Sequence, residues 1–307
     1  MRANCCDGAT NQPPATFYNS PRARFAYRGR LAPSPTGLLH IGHAATFWTA
    51  YQRALENQGT LVFRDEDLDP QRSKPAFATA MLEDLRWLGI RWQEGPDVGG
   101  TFAPYRQSQR REFYRQAWRK LGDCGAIYPC TCSRRDVLLA ASAPNEGEND
   151  EPLYSGRCRE KIAEARYYAE PAGVNWRFRV QDGETIRFCD EHFGPQSYIA
   201  GHDFGDFVIW RRDDVPAYQL AAVVDDAAMQ ITEVVRGADL LKATARQLLL
   251  IRALGLTVPS YYHCHLVRDP DGVRLAKRHA SLSLRALRQQ DCTPDGALAL
   301  CGFPSCI

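Results

Sequence analysis

Three groups of residues in this chain have types and spacings suited to chemistry. His40, Gly42 and His43 stand where a stretch dense in proline and glycine, Pro33 to Gly37, meets an apolar periodic run. The first turn of a helix offers free backbone N–H groups and the positive end of its dipole, so such a junction suits an anion, phosphate first of all. Two imidazoles can donate to phosphate oxygens, and a glycine between them lets a flat base lie against the backbone. The spacing alone equally allows a core pair or a metal pair on one helix face. The second group is Cys130, Cys132 and Cys158. Three thiolates can hold a tetrahedral zinc whose fourth position takes another donor, with Cys124 and His192 as competitors for it. The third is the basic run Arg274 to Arg278, after the turn Asp269-Pro-Asp-Gly272. Lys277 there can serve as a cation for phosphate, and the run also suits an ordinary basic surface loop. No metal or nucleophile site is expected at His263, Cys264 and His265, because adjacent strand residues point to opposite faces. Cys189, Cys292, Cys301 and Cys306 have no partner spacing, and Cys5 and Cys6 fall in the N-terminal extension.

The elements that must position these groups follow from periodicity. Arg30 to Ala32 ends a short strand; Ala44, Phe47, Trp48, Tyr51 and Leu55 recur at helical spacing; Asn57 to Gly59 stops the helix; Thr60 to Arg64 is a second strand. Strand, loop, helix and strand at this length make a parallel crossover, a Rossmann-type half. Ser73 is placed to cap a helix through Phe77, Met81, Leu85 and Leu88, and a further helix runs from Arg106 to Leu121. Ala140 to Pro152 has turn formers and acids without apolar periodicity and reads as a mobile loop. Asn175 to Val180, Thr185 to Cys189 and Phe207 to Arg211 read as strands of a small insertion. Gln219 to Val224 and Ile231 to Val235 return the chain to the larger sheet, and a helix from Leu240 to Leu254 completes a second α/β half.

Composition sets the frame. At roughly 150 residues per domain, 307 residues suggest one large or two modest domains, and 44% apolar content with a net charge of +2 is an ordinary globular balance. No apolar run reaches the ~18 residues of a membrane span, and a secretory leader is not expected. Eleven cysteines without an export signal favour free thiols or metal ligands in a reducing cytoplasm over a disulfide framework. Basic residues concentrate in Met1 to Gly29 and Pro104 to Lys120. A solvated extension and a wet helix face explain them more simply than a polyanionic partner.

The string from Gly29 to His43, Gly-Arg-Leu-Ala-Pro-Ser-Pro-Thr-Gly-Leu-Leu-His-Ile-Gly-His, resembles the opening HIGH signature of the glutamyl branch of class I aminoacyl-tRNA synthetases. The resemblance continues through Arg64 to Asp69, Val223 to Asp226, Thr232 to Asp239 and the KMSKS-like Arg274-Leu-Ala-Lys-Arg278, so it covers about residues 29 to 285 in order. In the last motif Arg274 replaces a lysine and Ala276 a serine, while Lys277 keeps the second lysine.

This resemblance implies ATP, with magnesium, over His40, Gly42, His43 and Lys277, with His40, His43 and Lys277 as the catalytic groups. It implies glutamate held by Arg30, Glu66, Tyr218 and Arg236, with Leu31, Ala32, Pro33 and Ser34 alongside. Guanidinium suits carboxylate through paired N–H donors. It also favours Tyr154 as the fourth ligand of one structural zinc ion with Cys130, Cys132 and Cys158. Only a short stretch follows Arg278, so no anticodon-binding domain is expected. The likeness is therefore greatest to short members of the branch, which attach glutamate to the queuosine base in the anticodon of tRNA(Asp). Charging of a tRNA 3′ end by a truncated enzyme, a small-molecule nucleotidyltransferase and an inactive zinc-containing RNA-binding relative are the competing readings. The expected organisation is a disordered extension (1–28), a first catalytic half (29–125), a zinc-containing insertion (126–205) and a second half with the KMSKS-like loop and a short tail (206–307). A cytoplasmic monomer is expected.

Overall fold

The computed structural model describes residues 16–18, 26–133, 135–136, 153–267 and 283–303. Strand β1 is Thr16–Tyr18, β2 is Arg28–Leu31, helix α1 is Ile41–Glu56 and β3 is Thr60–Phe63. Strands β2 and β3 run parallel with Arg28 opposite Thr60 and Leu31 opposite Phe63, so the expected crossover forms. Helix α1 buries Ile41, Ala44, Phe47, Ala50 and Ala54 at helical spacing. At its end Gly59 lies against Tyr27, where a Cβ would sit 2.6 Å from the carbonyl oxygen; a side chain would push the two strands apart. Helix α2 (Pro75–Trp87) starts with proline in its first turn after Lys74. Ser73 does not cap it, and its hydroxyl has no hydrogen-bond partner among the described residues. Proline already supplies the fixed φ and the missing donor of a helix start.

Helix α3 (Arg111–Asp123) leads into β4 (Ile127–Cys130), then β5 (Asn175–Phe178), β6 (Thr185–Asp190), β7 (Gly194–Ile199), β8 (Phe207–Arg211) and β9 (Val215–Pro216). Helix α4 (Tyr218–Ala228), β10 (Glu233–Gly237), helix α5 (Leu241–Leu254), β11 (Ser260–Cys264) and two short helices, α6 (Leu284–Gln289) and α7 (Pro294–Leu300), follow. β10 and β11 are parallel, and β11 meets β6 at Tyr261 and Asp190. Thr232 joins this sheet to β2, its N–H donating to the Arg28 carbonyl at 2.9 Å and its hydroxyl accepting from the Arg28 N–H at 2.8 Å.

Neighbouring residues of these strands feed two different cores. Val62, Val234 and Tyr261 pack with α3, α4 and α5, while Leu61, Phe63, Val235 and Cys264 pack with α1, α2 and the C-terminal helices. This is the period-2 alternation of a sheet covered on both sides.

Four expectations change. Within the extension expected to be disordered, Thr16–Tyr18 pairs parallel with β6, and Tyr18 is buried in the first core. Thr185 to Cys189, expected in the insertion, forms with β7 a hairpin on the main sheet. Phe207 to Arg211, read as a strand of the insertion, does pair with β5 in a small antiparallel sheet ordered β4-β5-β8-β9, so it is the division at 206 that falls too early. Alternating apolar strands state which face is buried and not which neighbour they join. Finally, Gln219 to Val224 is helical: Leu220 to Val224 are all buried because α4 is packed around by α3, α5 and β8. A short apolar run has no periodicity with which to distinguish a buried strand from a buried helix.

The Ala140 to Pro152 loop and the Arg274 to Arg278 motif lie outside the described residues. The basic face of α3 is largely paired, with Arg111 near Asp214 and Arg115 and Arg119 near Glu170.

Candidate active site

Helix α1 begins at His40, which caps it: the Gly42 N–H donates to His40 Nδ1 at 3.1 Å, and the His40 N–H donates to His43 Nδ1 at 3.3 Å. The two rings stack with centroids 3.7 Å apart. Both rings accept at Nδ1, so when neutral each carries its proton on Nε2. Burial pushes both below the usual histidine range, His43 to about 3 with His40 contributing. The pair thus presents two neutral N–H donors at neutral pH. A Cβ on Gly42 would lie 3.0 Å from His40 Cε1, so the glycine is what lets the first imidazole fold back over the helix start.

A cleft of about 530 Å³ opens beside this turn. Its wall includes Arg30, Ala32, Pro33, Ser34, His40, Gly42, His43, Glu66, Tyr218 and Arg236. The structure therefore gathers the expected groups from β2, the turn after it, the segment after β3, the start of α4 and β10. Leu31 is the exception: it is fully buried in the core below, since its neighbours on β2 face the other way.

The charged floor is built from buried ion pairs. Arg64 Nη1 donates to Asp226 Oδ1 at 2.6 Å and Nη2 to Glu66 Oε1 at 3.0 Å. Arg30 Nη1 donates to the Val235 carbonyl at 2.6 Å, with its Nε 3.6 Å from Asp226. Asp225 accepts from Gln107, Arg110 and Tyr114 at 2.7, 2.6 and 2.8 Å. Burial raises the Glu66 carboxyl, opposed by Arg64 and Arg30.

Arg236 is held by a second set. Its Nε donates to His263 Nε2 at 3.1 Å, Nη1 to the Tyr218 hydroxyl at 3.2 Å and Gln247 at 2.8 Å, and Nη2 to Thr244 at 2.7 Å. His263 Nδ1 lies 2.6 Å from Asp190 Oδ2. Residue types and spacing gave no hint of Asp190, Thr244 or Gln247, and His263 stood out there only as a metal or nucleophile candidate. Asp225 and Asp226 did carry a signal, two acids inside an apolar run.

The model of the class I tRNA synthetases (E and Q), catalytic domain, matches residues 26–302. The chain belongs to this family. It is 47% identical over 269 residues to a glutamyl-Q tRNA(Asp) synthetase of Symbiobacterium thermophilum, covering 87% of this chain and 83% of the relative. It is 48% identical to one of Nitratidesulfovibrio vulgaris, covering 85% and 81%. A glutamate–tRNA ligase of Acidithiobacillus ferrooxidans is 45% identical over 89% of this chain but only 55% of its own length. The glutamate-tRNA synthetase of Elizabethkingia anophelis superimposes with a TM-score of 0.71 at 31% identity, over 83% of this chain and 53% of that one. The chain thus spans about half the length of these longer synthetases.

On this class I synthetase frame the cysteines form a separate cluster. The Sγ atoms of Cys130, Cys132 and Cys158 all lie within 4.8 Å of one another and are buried. The Tyr154 hydroxyl is 3.4 Å from Cys130 Sγ and 3.5 Å from Cys132 Sγ, and Cys132 and Cys158 are 3.7 Å apart. Zinc bonds of about 2.3 Å to sulfur set tetrahedral edges of about 3.8 Å, so the donor set fits zinc. Cys124 bonds to the Leu121 carbonyl and His192 to the His263 carbonyl, and neither joins the cluster. Arg177 backs it, its Nε donating to Cys130 Sγ at 3.4 Å with the guanidinium 3.9 Å from the Tyr154 ring centre. Among the described residues no helix is long and apolar enough to cross a membrane.

Proposed function

We propose that this chain activates glutamate with ATP and transfers the glutamyl group to the queuosine base in the anticodon of tRNA(Asp). The observation that carries this reading is the cleft, in which one buried acid, two buried guanidiniums and the His40–His43 turn converge. Glutamate has one ammonium and two carboxylates, and Glu66, Arg30 and Arg236 with Tyr218 are their complements. Glu66 offers the oxygen that Arg64 leaves free. Ala32, Pro33 and Ser34 shape the wall.

ATP lies over Gly42, with its phosphates at the Nε2–H donors of His40 and His43. The glutamate α-carboxylate attacks the α-phosphorus in line, pyrophosphate leaves, and glutamyl-adenylate forms; magnesium brought by ATP would neutralise charge on the pyrophosphate. Neutral donors fixed in place stabilise the charge that develops without reorganising. Lys277 supplies a cation to the leaving pyrophosphate. A cyclopentene hydroxyl of queuosine then attacks the activated carbonyl and AMP departs. Positioning supplies most of the rate. Cys130, Cys132, Tyr154 and Cys158 hold one zinc ion whose part is structural, since four protein ligands leave no open position. The protein works as a cytoplasmic monomer, organised as a catalytic domain split by the zinc-holding insertion.

The test is glutamate-dependent ATP–pyrophosphate exchange by the purified chain without tRNA, beside Lys277→Ala. Exchange that needs glutamate and falls at least about 100-fold in the variant supports the reading. Absence of exchange from folded, zinc-loaded protein would sink it.

A further inference from the structure

Arg236 is a flexible side chain asked to hold one geometry. It stands on β10 opposite His263 of β11, so both side chains share a face of the sheet. Arg236 Nε can only donate, so His263 Nε2, 3.1 Å away, must accept. That assigns the imidazole proton to Nδ1, which donates to Asp190 Oδ2 at 2.6 Å. Asp190 is itself fixed, its Oδ1 accepting from the His192 and Phe193 N–H groups at 3.1 and 2.9 Å. His263 and Asp190 are buried, at 0% and 1% exposure, and no role in the proposed chemistry uses either. Four of the five N–H groups of Arg236 have protein partners among the described residues, at His263, Tyr218, Gln247 and Thr244. One Nη2 N–H is left for a carboxylate in the cleft.

We propose that the Asp190–His263 pair positions Arg236 for a substrate carboxylate, holding it only while the His263 ring is neutral. This inference rests on the reading that Arg236 binds glutamate. The groups facing His263 are Asp190 from β6, Arg236 from β10, Arg30 from β2 and the Thr244 hydroxyl from α5, with Tyr261 beside it on β11. A proton on Nε2 would set donor against donor and cation against cation at Arg236. Arg30 adds to the repulsion and Asp190 opposes it. Burial first, then Arg236 and Arg30, holds the imidazole below its ordinary range despite Asp190. Neutral His263 therefore prevails at neutral pH, and the hold on Arg236 weakens as pH falls below the usual histidine value.

The experiment is glutamate-dependent exchange by the full chain between about pH 5 and 8, resolved into kcat and the KM values for glutamate and ATP. His263→Ala raises KM for glutamate about tenfold or more, with a much smaller change in kcat and in KM for ATP. His263→Gln presents a carbonyl to Arg236 and an N–H to Asp190; it restores KM and removes the acid-side rise in KM that the parent shows. A normal KM in His263→Ala, or an unchanged acid-side rise in His263→Gln, overturns the inference. If His263→Ala does not fold, the acid side of His263→Gln decides alone. Arg236→Met separates the two levels. If it leaves KM for glutamate unchanged, the glutamate reading falls and the inference with it. If it raises KM while neither His263 variant has an effect, only the inference falls.

Discussion

Asp225 shows what one buried charge demands. It is fully buried, accepts from Arg110, Gln107 and Tyr114, and lies 3.9 Å from Arg64. Arg64 is also fully buried and depends on Asp225, Asp226 and Glu66 for its charge. Removing the Asp225 charge leaves buried Arg110 without its carboxylate, 2.6 Å away, and takes one of three from Arg64, which costs far more than the pair contributes on balance. Asp225→Asn is therefore expected to lower unfolding stability by about 3 to 5 kcal/mol, read as the shift in a urea midpoint at constant slope. A shift under about 1 kcal/mol would mean that Arg64 and Arg110 are served by Asp226 and water instead. The same logic explains why the two arginines that line the cleft are different devices. Arg30 is anchored through a backbone carbonyl and Asp226, Arg236 through four side chains.

At the scale of elements, the proposed zinc closes the small antiparallel sheet onto the segment that follows it. Cys130 ends β4, Cys132 follows, and Tyr154 and Cys158 come from the far side of the Ala140 to Pro152 stretch. The fourth strand of this sheet has only two residues, and three buried thiols with a phenol make a poor apolar core. The proposed ion would supply the missing cross-link. Chelation is expected to lower the thermal midpoint by about 5 to 10 °C, for a loss of about 3 kcal/mol. Hydrogen exchange should then rise in β4 and around Cys158 before it rises in β2, β10 and β11. Identical melting with and without chelator, from protein with one bound zinc, would argue against a structural ion. The parallel sheet shares one apolar cluster with the small sheet, through Ile127, Trp176 and Phe207, while the cluster on its other face lies apart from it.

A cleft of about 530 Å³ opens beside the helix start, and the chain spans about half of the longer glutamate-tRNA synthetases it resembles. The proposed acceptor is an anticodon base and not a 3′ end, and this separates the reading from that of a truncated charging enzyme. Queuosine-containing tRNA(Asp) trimmed of its 3′-terminal adenosine is expected to accept labelled glutamate as well as the intact tRNA does. An unmodified transcript should accept none. Acceptance that needs the terminal adenosine and ignores queuosine would reverse the assignment. Binding should also weaken with salt, because phosphate contacts release counterions.

The order of local signals was legible in the amino acids. The turn before α1, the helix spacing from Ala44 onward, the parallel pair β2 and β3 and the three cysteines could each be read from neighbours in the chain. They follow from periodicity, turn chemistry and ligand type, which are local properties. Tertiary structure alone decided that β6 and β7 belong to the main sheet and that Leu220 to Val224 is helical. It also decided that His263 and Asp190, 73 positions apart, meet behind Arg236. A pattern of apolar residues fixes which face is buried, whereas the partner across that face is chosen by packing among segments distant in sequence.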